Sequence, residues 1–251
     1  MHDRAALVTG GANGIGRAAV LEFARRGAAV AVVDLAIEPA EQLAGEIRAA
    51  GGRALAIRAD VTREADVQHM VERTIAEWGR LDFAFNNAGI LGPLGTPLHE
   101  LKETDWDRVL EVDLKSVWLC MKHEITAMLA VSGGAIVNNS SIAGLRAATL
   151  NPAYGAAKHG VVGLTLAAAS YYGAHGIRVN AVCPGIVMTD MTGLIGLDPQ
   201  SPSAVRIARA PLRRGADPAE IARTAVWLCS DEASYLTGVA LPVDGGLLSI
   251  A

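Results

Sequence analysis

Short apolar runs alternate along the 251-residue chain with longer stretches whose apolar positions recur at helical spacing. Runs at 5–9, 28–34, 54–59, 83–86, 135–139, 178–183 and 239–243 read as strands. Segments at 15–26, 39–50, 64–78, 104–130, 153–173 and 218–230 read as helices. A strand–helix–strand rhythm of this kind predicts an α/β fold: one domain over residues 1–251, with a parallel sheet and helices on both faces. The largest break in the rhythm is at about 189–214, which holds Pro199, Pro202 and Pro211. A long irregular stretch inside a compact domain is usually functional. This one follows the C-terminal end of a strand, where open α/β sheets bind ligands, and is expected to act as a lid over substrate.

Composition narrows the partners. Half the residues are hydrophobic (51%) but only 4% are aromatic, so alanine and glycine do much of the packing and let helices approach closely. The net charge is −4 and there is no basic run, which favours neither nucleic acid nor an anionic membrane. No apolar run approaches the ~20 residues of a membrane span, and the N-terminus reads as the first strand rather than a signal peptide. Cys120, Cys183 and Cys229 are odd in number and far apart. They read as buried free thiols in a reducing, cytoplasmic compartment. The His123-Glu124 pair has no histidine three residues on, and no metal site is expected.

The first strand ends in Thr9-Gly10-Gly11-Ala12-Asn13-Gly14-Ile15-Gly16. Glycines between a strand and a helix permit a tight turn and close approach of backbone to a diphosphate, and the helix N-terminus then presents its free N–H groups. Asp34 closes the second strand, eighteen residues after Gly16. A carboxylate there accepts hydrogen bonds from both ribose hydroxyls of NAD and repels the additional phosphate of NADP. Asn13 and Leu35 stand where an NADP binder would need Arg or Lys, so the cofactor is read as NAD, although an aspartate at this point also serves as a helix cap.

Tyr154 and Lys158 lie four residues apart on a predicted helix and so share one face, with Ser141 thirteen residues before the tyrosine. An ammonium beside a phenol favours phenolate and pulls its pKa down from ~10, and such a phenol can move a proton to or from an alcohol oxygen. No GxSxG elbow or His/Asp pattern accompanies Ser141, which argues against a covalent nucleophile.

Together these residues resemble the short-chain dehydrogenase/reductase family. Its motifs appear in order from Thr9 to Gly246: Thr9-Gly-x-x-x-Gly-Ile-Gly16, Asp60-Val61, Asn86-Asn-Ala-Gly89, Ser141, Tyr154-x-x-x-Lys158, Pro184-Gly185 with Thr189, and Val243-Asp-Gly-Gly246. The resemblance implies a doubly wound Rossmann fold with seven parallel strands in the order 3-2-1-4-5-6-7. It implies that Tyr154 is the general acid/base, that Lys158 tunes it and binds the nicotinamide ribose, and that Ser141 bonds the substrate oxygen. Asp60 and Val61 would meet the adenine. Asn87, Ala88 and Gly89 would lie along the cofactor, and Pro184, Gly185, Ile186 and Thr189 would hold the nicotinamide end. Asp60 as a helix cap and Asn87–Gly89 as a simple turn remain open on the residues alone. The family commonly assembles as tetramers. The helix at 153–172, apolar or small on nearly all sides, and the helix at 104–130 are the expected contacts of a homotetramer.

One position departs from the family. Where relatives carry an asparagine that supports a helix kink and a proton relay, this chain has Asp113. A carboxylate near Lys158 would stabilise its ammonium and shift the pH optimum.

The expected substrate-facing residues are Leu91, Leu94, Ile142, Leu145, Leu150, Met188, Met191, Leu194 and Ile195, with Arg146 the one basic side chain nearby. A neutral, mostly apolar secondary alcohol or ketone, cyclic or small aromatic, fits such a set. The expected activity is that of an NAD-dependent alcohol dehydrogenase or carbonyl reductase. A dinucleotide-binding sensor or scaffold, and a lyase or epimerase on the same fold, are the alternatives.

Overall fold

The computed structural model describes residues 1–147, 151–189, 191 and 202–250. Seven strands pair in parallel in the order β3-β2-β1-β4-β5-β6-β7, as the resemblance implies. They are β1 (Ala5–Thr9), β2 (Ala29–Asp34), β3 (Ala54–Arg58), β4 (Phe83–Asn86), β5 (Gly134–Asn139), β6 (Ile177–Pro184) and β7 (Ala240–Val243). All five residues of β1 are buried, because helices cover both faces of the sheet at this central strand. Register pairs Leu7 with Ala31 on one side and with Ala84 on the other, so alanines flank the larger side chain.

On one face, α1 (Gly14–Arg25), α2 (Ile37–Ala49) and α8 (Pro218–Cys229) bury Phe23, Leu43 and Ile221 against Val30 and Phe85. On the other, α3 (Glu64–Trp78), α5 (Ser116–Ala130) and α6 (Pro152–Tyr172) bury Met70, Leu119, Met128 and Val161 against Leu7 and Ile136. Each fully buried Leu, Phe or Met contributes about 1.5–3 kcal/mol of transfer free energy.

Three features of this frame place the site. The strand order turns back between β1 and β4, which opens a crevice at their C-terminal ends. The expected helix at 104–130 is interrupted: α4 (Glu103–Leu110) passes through a π-helical turn, Glu111–Lys115, before continuing as α5. That turn holds one residue more than an α-turn and buries Val112 and Asp113. Finally, the start of α6 is fixed by Asn151, whose side chain accepts the Ala153 N–H at 2.9 Å, with Pro152 in the first turn.

The expected lid is only partly irregular. Its described portion contains a helix, α7 (Pro202–Arg209), and a bridge between Val187 and Ala216 joins the ends of the segment. Residues 190 and 192–201, with the expected substrate contacts Leu194 and Ile195, lie outside the described residues, as does Leu150. Among the described residues no helix is long and apolar enough to cross a membrane, and no group of His, Cys, Asp or Glu could hold a metal ion.

Candidate active site

A cleft of about 360 Å³ opens over the ends of β1, β2 and β4. Its floor is the glycine turn. Gly10 and Gly14 have φ of +60° and +52°, left-handed values that side chains resist. A Cβ on Gly10 would press on the Ala88 backbone, and one on Gly16 would collide with the Gly10 carbonyl. Gly16 therefore packs the turn from beneath, while Gly10, Asn13, Gly14 and Ile15 face the cleft.

The end of β4 clamps this turn. The Asn87 side-chain amide donates to the carbonyls of Thr9 and Gly10, both at 3.1 Å, and the Thr9 hydroxyl accepts the Asn87 and Ala88 N–H groups. Asn87 is thus more than a turn residue, and it lines the cleft with Ala88 and Gly89.

At one end of the cleft stand Asp34, Leu35, Asp60 and Val61. Asp34 accepts the Ala12 N–H at 3.0 Å and the Ala36 N–H at 3.1 Å, so it also ties β2 to the glycine turn. Leu35 is exposed. Asp60 takes the Thr62 hydroxyl at 2.7 Å and the Thr62 N–H at 3.0 Å. The Thr62 hydroxyl bond is the main reason its carboxyl lies below the ordinary range. Asp60 thus closes a turn with Thr62 and stands three residues ahead of Arg63, the position that caps α3.

At the other end lie Asp113, Tyr154, Lys158 and Thr189, the last against Gly14. Helical spacing sets the Lys158 ammonium 5.4 Å from the centre of the Tyr154 ring. The ammonium donates to the Asn139 carbonyl at 3.1 Å and lies 3.4 Å from Asp113 Oδ2. Asp113 Oδ1 accepts the Ile90 N–H at 2.8 Å, while Oδ2 has no hydrogen-bond partner beyond that ion pair. Ser141 does not line the cleft wall; its hydroxyl accepts the Ala143 N–H at 3.1 Å and, near the Tyr154 phenol, acts to lower the phenol's pKa.

The electrostatics follow from burial. Asp113 has no exposed surface, and burial raises its carboxyl pKa despite Lys158 and the Ile90 N–H. Burial, the largest influence, would lower the Lys158 pKa, but Asp113, Tyr154 and Cys183 together outweigh it and hold the ammonium above its ordinary range. Tyr154 corrects the expectation from sequence. Burial pushes the phenol above 10; Lys158 pulls it down as expected, yet Asp113 pushes it up again.

Three of the expected cofactor residues lie apart from this cleft. Pro184 pairs with Val243 in the sheet, Gly185 packs on Asp244, and Ile186 lines a neighbouring cavity with α7. Of the expected substrate contacts, Met191 lines the cleft. Ile142 lines a separate cavity, and Leu94 and Met188 are exposed.

Sequence reasoning missed Asn139, Asn151 and Arg108. Asn139 accepts from Lys158 through its carbonyl and donates to Asn87 Oδ1 through its amide, at 3.0 Å. Asn151 donates to the Leu91 carbonyl at 3.1 Å, and its Asn-Pro pair was a legible helix start. Arg108 lines the cleft beside Asp60, and only the fold puts it there.

A nicotinamide dinucleotide fits this architecture: a glycine cradle with no room for side chains, a carboxylate at the end of β2, and a phenol–ammonium–hydroxyl group at the far end. A family model described as enoyl-(acyl carrier protein) reductase matches residues 10–248, and the chain belongs to the short-chain dehydrogenase/reductase family. It is an oxidoreductase that uses a nicotinamide dinucleotide and a small-molecule substrate. It is 47% identical to the cis-4-hydroxycyclohexanecarboxylate dehydrogenase of Sinomonas cyclohexanicum, over 99% of this chain and 98% of the relative. It is 40% identical to the cyclohexanol dehydrogenase of Acinetobacter sp. (strain SE19), over 99% and 96%. Among solved structures, a levodione reductase superposes with a TM-score of 0.94 at 35% identity, each chain covered completely.

Proposed function

We propose that this enzyme transfers hydride between NAD(H) and a cyclic secondary alcohol or ketone, with Tyr154 as acid/base. The observation that carries it is the convergence of Tyr154, Ser141 and Lys158 at one end of a cleft whose other end is closed by Asp34. When bound, NAD(H) supplies the hydride acceptor or donor. In oxidation the Tyr154 phenolate takes the alcohol proton; in reduction its hydroxyl returns one. Ser141 orients the substrate oxygen and steadies negative charge developing on it. Lys158 favours the phenolate, and Asp113 moderates that effect by holding the ammonium.

Gly10, Asn13, Gly14 and Ile15 cradle the diphosphate, with Gly16 supporting the turn, and Asp60 with Val61 flanks the adenine. NAD over NADP is supported by Asp34 standing beside the exposed apolar Leu35, so a 2′-phosphate would meet a carboxylate there with no cation in the flanking position. Thr189 serves the nicotinamide end. A ring substrate is supported by the cyclohexane-ring compounds in the relatives' names.

An apolar groove between α4–α5 and α6, lined by Leu110, Leu114, Trp118 and Leu164, supports a homotetramer built on these helices. Three buried, unpaired cysteines suit the reducing cytoplasm. The test is absorbance of NADH at 340 nm over a panel of cyclic and linear alcohols, on protein whose mass by light scattering should be that of four chains. Turnover should be fastest with ring alcohols and far faster with NAD than with NADP. Equal efficiency with both cofactors, or no oxidation of any ring alcohol, would sink the assignment.

A further inference from the structure

The chain leaves the cleft after Ser140 and, from Ile142, forms one wall of a second cavity, of about 510 Å³. Ile142 and Ala147 line this wall, with Leu247, Leu248 and Ile250 from the C-terminal segment opposite. Three arginines share the same concavity: Arg146 from the wall, and Arg206 and Arg209 from α7. Arg206 and Arg209 are three residues apart, so they lie on one face of their helix. The fold thus adds two cations to Arg146, the one that the sequence placed near the substrate.

Guanidinium groups gathered in one concavity repel each other, and such clusters are usually interleaved with carboxylates. Here none of the three forms an ion pair among the described residues. The two carboxylates that line the neighbouring cavity with Arg206 are already engaged: Asp244 accepts the Gly246 and Leu248 N–H groups at 2.9 and 2.7 Å, and Glu220 is bonded to Arg214. Among the described residues the cluster makes one polar contact, from Arg146 to the Ile250 carbonyl at 3.5 Å. The three arginines line one cavity together with isoleucines and leucines. Its chemistry complements an anion carried on a hydrocarbon body, because planar guanidinium forks match a carboxylate and the leucines match a ring or chain.

We propose that Arg146, Arg206 and Arg209 bind a carboxylate borne by the substrate, so that ring alcohols carrying a carboxylate are preferred to their uncharged counterparts. This rests on the ring-alcohol activity proposed above. The reacting carbinol lies at Tyr154 and Ser141, the ring spans Ile142, and the carboxylate reaches the arginines.

Two measurements separate this proposal from the reading beneath it. Calorimetric titration with cyclohexanecarboxylate, which has no hydroxyl to oxidise, reads the anion site whether or not turnover occurs. Its affinity should exceed that of cyclohexanecarboxamide and fall about 10- to 100-fold in Arg206→Gln/Arg209→Gln, the range for losing charge-assisted hydrogen bonds. Arg206→Lys/Arg209→Lys should recover part of it, which a variant that is merely misfolded would not do.

In steady-state kinetics with hydroxycyclohexane carboxylates and carboxamides, the wild-type KM should be at least tenfold lower for the acid, and that ratio should collapse toward one in the Gln variant. Equal affinity for acid and amide, or acid binding indifferent to both arginines, overturns the proposal while leaving ring-alcohol oxidation standing. Binding of inorganic phosphate as tight as that of the ring acid overturns it too, since the site would then hold a free anion. Retained acid binding with no ring alcohol oxidised would remove the activity reading and, with it, the substrate assignment.

Discussion

Asp113→Asn isolates the charge that sets this site apart. The variant keeps an oxygen for the Ile90 N–H and replaces the other, 3.4 Å from the Lys158 ammonium, with an NH2 group. At an effective dielectric constant of about 20, unit charges at that distance attract by about 5 kcal/mol, an attraction that holds the proton on the ammonium and that the variant removes. Tyr154 feels the same charge as a smaller effect than burial and Lys158, and in the upward direction.

The sign is set by Asp113, which raises both Lys158 and Tyr154; without its charge both titrate lower. Alcohol oxidation needs the phenolate, so the acidic limb of kcat/KM should move to lower pH. The assay is initial-rate oxidation of a ring alcohol at saturating NAD from pH 5.5 to 10, for wild type and variant. Superimposable limbs, or a limb displaced upward, would refute the claim that a charged Asp113 governs the acid/base pair.

Two further outcomes bear on the site and the core. Tyr154→Phe should lower kcat by ~10²-fold or more while NADH affinity, read by fluorescence titration, changes less than about threefold; near-normal turnover would remove Tyr154 from proton transfer. Glu124 is fully buried, and burial lifts its carboxyl to about 8, the Asn86 amide at 3.0 Å acting the other way. Its folded-state pKa lies above its unfolded one, so the stability linked to its proton is complete below about 4.5 and is lost as pH rises through about 8, roughly 5 kcal/mol in all. Glu124→Gln stays neutral, so its Tm should gain on wild type between pH 5 and pH 8; a constant difference would show that Glu124 is not protonated in the fold.

Strand–helix alternation, the glycine turn and the Tyr154–Lys158 spacing were legible because each is local: a period, a turn requirement, an i,i+4 pair. The π-turn at 111–115 was not, since one surplus residue barely disturbs a hydrophobic period. Residues 189–214 read as irregular through their prolines, yet Pro202 opens α7, because proline without its N–H is favourable in a first helical turn. The phenol's raised pKa was hidden for another reason. Sequence shows the lysine that lowers it, whereas burial and the nearness of Asp113 are products of packing. Arg206 and Arg209 lie sixty residues from Arg146 and were joined to it only by the fold.

The π-turn has a consequence for how this chain tolerates change. Loss of any one residue between Glu111 and Lys115 would remove the surplus that the π-turn absorbs and let α4 and α5 run on as a regular helix, with their outer faces still in phase. The bulge itself would be gone, and Asp113 would no longer be presented to Lys158 and Ile90 as it is now. Residue exchanges here should give graded losses, because shape and charge can each be partly kept. A one-codon deletion has no intermediate, so the position of Asp113 is guarded by the length of the segment as much as by its composition.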